Sequence, residues 1–127
     1  MKPFSARALG HCGEDIAARY LEAKGYRILE RNYATRYGEI DLVALCCLSE
    51  EGGRLVFVEV KTRRNQRCGY PEESITPKKL NHLILACQEY LQSHQKEEVD
   101  WQIDVVAIEL SPGSPVQVTH LENVTLP

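Results

Sequence analysis

The sequence predicts an α/β domain in which helices cover a mixed β-sheet. Three observations lead there. Two stretches, 5–24 and 76–94, repeat apolar residues at helical spacing. Three strand-like runs, 26–33, 38–47 and 55–62, follow the first helix with short links, so they form an antiparallel meander. A fourth strand, 101–110, comes only after the second helix, and such a crossover lets it run parallel to the third strand.

Each element has its own warrant. In the first helix Leu9, Cys12, Ile16, Tyr20 and Leu21 make the apolar stripe. Ser5 can cap its start, and Gly25 stands where a left-handed residue ends a helix. Gly10, Gly13 and Ala17 lie beside the stripe and are small enough to let the helix approach a sheet closely. Glu14 falls at the stripe's edge. The second and third strands, "GEIDLVALCC" and "LVFVEVKT", flank "LSEEGGR", whose Gly-Gly pair signals a hairpin turn. The second helix, "TPKKLNHLILACQEYLQSH", has Thr76 as cap and Pro77 in its first turn. Its stripe is Leu80, Leu83, Ile84, Cys87, Tyr90 and Leu91. "SPGSP" breaks the chain after the fourth strand, and "VQVTHL" adds an edge strand.

The bulk numbers fit one domain spanning 1–127. The chain has 127 residues, 43% hydrophobic and 26% charged, with a net charge of −3. No apolar run reaches the roughly 18 residues that a membrane helix needs. Arg7, His11, Glu14 and Asp15 interrupt any signal-peptide core, so a cytoplasmic location is expected. Five cysteines without a C-x-x-C pair read as reduced thiols, not as a disulfide frame or a zinc site. The acidic balance argues mildly against a nucleic-acid partner. Residues 61–79 run the other way, gathering Lys61, Arg63, Arg64, Arg67, Lys78 and Lys79 against Glu72 and Glu73. Taken alone such a segment reads as a solvated surface loop, and its place directly after the charged strand raises the other reading, a rim that contacts phosphates.

"FVEVKTRR", 57–64, poses the functional question, because two charges interrupt a strand. Side chains alternate along strands, so parity sorts them into faces. Ile40, Leu42, Ala44 and Cys46 of the second strand share one apolar face with Val56, Val58 and Val60 of the third. Glu39, Asp41, Val43 and Leu45 then share the other with Leu55, Phe57, Glu59 and Lys61. At the hairpin's open end this second face gathers Glu39, Asp41, Glu59 and Lys61. Carboxylates forced together repel, and at least one is pushed toward protonation. A divalent cation relieves the repulsion, and hard oxygen ligands suit Mg²⁺ or Mn²⁺. An ordinary cross-strand ion-pair group is the alternative. Asp104 repeats the acid-in-strand pattern, and a structural role suits it.

The pattern D…E-x-K, on the second and third strands of a helix–three strands–helix–strand unit, resembles the PD-(D/E)xK, restriction-endonuclease-like nuclease superfamily. More narrowly, "GHCGEDIAARYLEAKGYRILERN", "GEIDLVA" and "FVEVKTR" resemble the YraN-like family of small bacterial proteins. That family is similar to the archaeal Holliday junction resolvases. The resemblance covers residues 9 to about 122. Ile40 replaces the proline of the superfamily's motif, and Gln92, four residues after Gln88, replaces the tyrosine of a Gln-x-x-x-Tyr element found in some exonuclease branches.

The resemblance implies an αβββαβ core and a metal-dependent nuclease. Asp41 and Glu59 would be ligands of Mg²⁺ (or Mn²⁺), with Glu14 and the Val60 carbonyl as further ligands. Lys61 would be the catalytic lysine. Arg63, Arg64, Arg67 and Lys79 would contact DNA phosphates. DNA, branched DNA included, would be the substrate, and cutting a junction symmetrically would need a two-fold homodimer. Two alternatives remain open. One is a non-catalytic nucleic-acid-binding or adaptor protein working with DNA-processing partners. The other is an interaction domain whose charges only pair with one another.

Overall fold

The computed structural model describes residues 6–46, 53–64 and 75–125, the first six through their backbone alone. Helix α1 spans Ala6–Ala23, and strands β1, β2 and β3 span Tyr26–Thr35, Gly38–Cys46 and Arg54–Arg63. Helix α2 spans Pro77–Ser93, and strands β4 and β5 span Trp101–Glu109 and Gln117–Leu121. The five strands form one sheet in the order β1-β2-β3-β4-β5. The pairs β1–β2, β2–β3 and β4–β5 are antiparallel, and β3–β4 is parallel. The fold is thus the expected α/β arrangement with its αβββαβ core, and the edge strand is present.

Local signals act as expected where they can be followed. Thr76 caps α2 by accepting from the Lys79 N–H at 3.1 Å, and Pro77 opens its first turn. Gly25 ends α1 with a φ of 95°, which suits glycine. The proposed Ser5 cap lies outside the described residues, as does the turn between β2 and β3.

The two helices cover opposite faces of the sheet. Ala17, Ala18 and Leu21 of α1 pack on Leu42, Ala44, Val56, Val58, Val106 and Ile108. Leu83, Ala86, Cys87, Tyr90 and Leu91 of α2 pack on Val43, Leu55, Phe57 and Ile103. The centre of the α1 stripe is therefore small. Gly13 continues it, and a Cβ at that position would fall inside the Thr62 hydroxyl of β3. The close approach expected from the small residues is real, and its contact lies one residue from Glu14.

Register parity follows the sequence reading through most of the hairpin. Leu42 pairs with Val58, Val43 with Phe57 and Ala44 with Val56. It fails at the open end. Ile40 belongs with Val43 and Phe57 on the α2 side, not with Leu42 on the α1 side. The neighbouring strand is irregular at the same level. Arg31 pairs with Leu42 and Tyr33 with Ile40, so Asn32 stands opposite Asp41. Asn32 has a left-handed φ of 52°, a conformation that asparagine tolerates better than most residues. Strict alternation cannot pass through such a residue. The break turns Ile40 and Tyr33 into the aromatic core beside Tyr90 and leaves Asp41 at the boundary between the two faces.

Candidate metal centre

The open end of the hairpin collects side chains from four elements. Asp41 comes from β2, Glu59 and Lys61 from β3, Glu14 from α1 and Lys79 from α2. Asp41 sits at their centre. Its Oδ2 accepts the Val60 N–H at 2.8 Å. Beyond Leu42–Val58 the backbone ladder between β2 and β3 gives way to this side-chain bond. Burial, followed by the charge of Glu59, pushes the Asp41 carboxyl up to about 7. Glu14 adds to the rise, and a hydrogen bond links the Asp41 and Glu59 carboxyls. The repulsion expected from the sequence is present, and Asp41 carries it.

Glu59 is buried, with 8% of its surface exposed. Two ammonium groups meet the same oxygen: Lys61 Nζ lies 3.4 Å and Lys79 Nζ 3.1 Å from Glu59 Oε1. Burial lowers the Lys61 pKa, and the neighbouring Lys79 lowers it further. In Lys79 burial pulls the same way, but the bond to Lys61 and the charge of Glu59 outweigh it, so its pKa rises. Lys79 was expected on the phosphate-binding rim. The structure brings it into the carboxylate cluster.

Glu14 reaches the site from α1, as its position at the stripe's edge suggested. Both its oxygens accept from Asn32 Nδ2 at 3.0 Å. The same amide nitrogen donates to Glu39 Oε1 at 2.9 Å. Oxygens of Glu14, Glu39 and Asp41 lie within 4.8 Å of one another. Three carboxylates of this kind make a hard-donor set that fits Mg²⁺ or Mn²⁺. Sequence reasoning placed Glu39 at the open end without giving it a ligand role, and it missed Asn32. An asparagine inside a strand-forming run was the available signal. Val60 meets the cluster through its N–H. Arg63 ends β3 and Arg64 follows it, while Arg67 lies outside the described residues.

Asp104 belongs to a separate network, as its structural reading suggested. It is fully buried and accepts from Gln102 Nε2 at 2.8 Å and from the Asn123 N–H at 2.9 Å. His120 Nε2 lies 2.7 Å from its other oxygen, and Lys24 Nζ lies 3.0 Å from His120 Nδ1. These bonds tie β5 and the segment after it to β4 and to the end of α1. Asp104, His120 and Glu122 could also hold a metal by proximity. The hydrogen bonds already satisfy Asp104, however, and a lysine ammonium faces the histidine.

An α/β fold with a carboxylate-rich, lysine-flanked cluster at the open end of its central hairpin defines the class. The chain belongs to the uncharacterised protein family UPF0102, whose profile matches residues 13–108. A UPF0102 protein of Syntrophomonas wolfei is 47% identical over 117 residues, covering 92% of this chain and 96% of its own. One from Rhodococcus opacus is 43% identical over 116 residues, covering 91% and 94%. Among solved structures, the Pyrococcus furiosus SfsA complex with Ca²⁺ is similar at a TM-score of 0.39 and 14% identity. That likeness covers 93% of this chain and 64% of the other, and it is too distant to carry an argument. Among the described residues, no helix is long and apolar enough to cross a membrane.

Proposed function

We propose that this chain is a metal-dependent nuclease that hydrolyses phosphodiester bonds in DNA, branched DNA included. One observation carries the reading. Asp41, raised to about 7 by burial and by the charges of Glu59 and Glu14, shares its end of the hairpin with Lys61, which pairs with Glu59. A purely structural ion-pair group does not gather three carboxylates around one half-buried aspartate, because the excess negative charge costs stability. A cation site tolerates that cost, because the cation removes it.

Asp41, Glu14, Glu39 and Glu59 would hold Mg²⁺ or Mn²⁺. In an extended strand a residue's N–H and C=O point the same way, so the Val60 carbonyl is a plausible further donor. The chemistry such a cation supplies is acidification of a water and neutralisation of charge on a phosphodiester. The chain's own groups do the rest. Asn32 holds Glu14 and Glu39 at a common distance. Lys61, held by Glu59, places a positive charge where the phosphate gains negative charge. Arg63, Arg64 and Arg67 follow on from β3 and would hold flanking phosphates, giving affinity with little base readout.

A second reading is a nucleic-acid-binding or adaptor module without catalysis, and the net charge of −3 favours only its adaptor form, because an acidic chain attracts nucleic acid weakly. One experiment separates the two. Four-way junction, flap, single-stranded and duplex DNA are incubated with the protein in Mg²⁺ or Mn²⁺, beside Asp41→Ala and Glu59→Ala. Cleavage that disappears in both variants supports the nuclease. Binding without cleavage in the parent supports the adaptor, and cleavage that survives both substitutions removes these residues from any nuclease mechanism.

A further inference from the structure

The position of Lys79 carries an inference that rests on the cation-site reading and deepens it. Glu59 offers its Oε1 to two ammonium groups from different elements. They are not equivalent. Lys61 lies two residues along the same strand, and its side chain is 23% exposed. Lys79 crosses from α2, lies closer to the oxygen, and is 41% exposed. It can therefore swing into solvent without unpacking the core. Asp41 has a different set of partners. Its Oδ2 accepts the Val60 N–H, a hydrogen bond links it to the Glu59 carboxyl, and the Lys79 charge acts on it more weakly than on Glu59. Glu59 is thus the more closely guarded of the two carboxylates.

We propose that Lys79 is a resident counter-cation. It holds Glu59 Oε1 in the metal-free protein and competes with the divalent cation for that oxygen. Position explains why this lysine serves. Thr76 caps α2 through the Lys79 N–H, which fixes the residue one turn into the helix and aims its stem across β3. Its neighbour Lys78 is exposed and brings the same formal charge to the same turn without meeting Glu59. Simple electrostatics would weight both lysines alike, whereas competition for one oxygen singles out Lys79.

The test is calorimetric titration of Mn²⁺ into the full chain and into Lys79→Met, Lys79→Gln, Lys78→Met and Asp41→Asn. Removing a competing, partly exposed ion pair should tighten Mn²⁺ binding about three- to fivefold in both Lys79 variants. Lys78→Met should change it by less than about twofold. Two Lys79 variants guard against a folding defect in either one, and thermal melting confirms that each is folded. Unchanged or weaker binding in both Lys79 variants overturns the proposal, as does an equal gain in Lys78→Met. If the parent binds Mn²⁺ through Asp41 but the Lys79 variants gain nothing, only the counter-cation role fails. If neither parent nor variants take up Mn²⁺, the cation-site reading falls with it.

Discussion

Asp41→Asn should stabilise the metal-free protein at pH 8, and the magnitude can be worked from the site. The ordinary carboxyl value is 3.8, and in the folded chain Asp41 sits near 7. Between those values the folded state keeps a proton that the unfolded chain has released. The folded state thus binds more protons, and its stability falls as pH rises through the interval. At about 1.4 kcal/mol per tenfold change in proton affinity, the interval is worth at most about 4 kcal/mol. Relaxation of the groups around Asp41 should leave about 2 kcal/mol of it. The asparagine keeps an oxygen for the Val60 N–H and removes the charge, so the variant lacks this slope. Urea unfolding at pH 5 and at pH 8 measures both proteins. Only the part of the interval above pH 5 is sampled, so the parent should lose about 1 kcal/mol relative to the variant between the two, and Mg²⁺ should restore it in the parent alone by binding the folded state. A variant as pH-sensitive as the parent, or less stable than it at pH 8, would refute the reasoning.

The other expectations concern single contacts. Gly13→Ala drives a methyl into Thr62 and should cost about 1–3 kcal/mol in denaturant unfolding. Gly13→Ala with Thr62→Ser should remain impaired, because the hydroxyl itself is in the way. Asn32→Gly keeps the left-handed backbone but removes the amide, so stability should stay within about 1 kcal/mol of the parent while Mn²⁺ affinity falls several-fold. Asn32→Val should lose both, measured by melting and calorimetry. Asp104→Ala strips the buried partner of His120, Gln102 and Asn123 and should cost about 3 kcal/mol without changing Mn²⁺ uptake.

Most of the architecture was legible because periodicity and caps speak locally. The α2 cap, its Cys87–Tyr90–Leu91 stripe and the β2–β3 parity through Val43 and Phe57 all follow from patterns a few residues long. Asp41 and Glu59 were legible as a repelling pair for the same reason. The reading failed where one strand depends on another. Parity alone placed Ile40 with Leu42, but the two lie on opposite sides, at the level where the adjoining strand carries the left-handed Asn32. Lys79 was equally hidden. Its bond to Glu59 depends on how α2 crosses the sheet, and nothing in "TPKKL" reports a crossing angle. Contacts between distant elements are fixed by packing, and a linear pattern carries no record of it.

The bond from the Val60 backbone to Asp41 gives the site its own reporter. That proton answers to a side chain rather than to a neighbouring strand, so its NMR resonance follows the carboxylate's state. Titrating acid, or adding magnesium, should move this one amide peak while those of the regular ladder stay still. The occupancy of the pocket could then be followed in unlabelled-substrate conditions, with no DNA in the tube and no assumption about what the protein cuts.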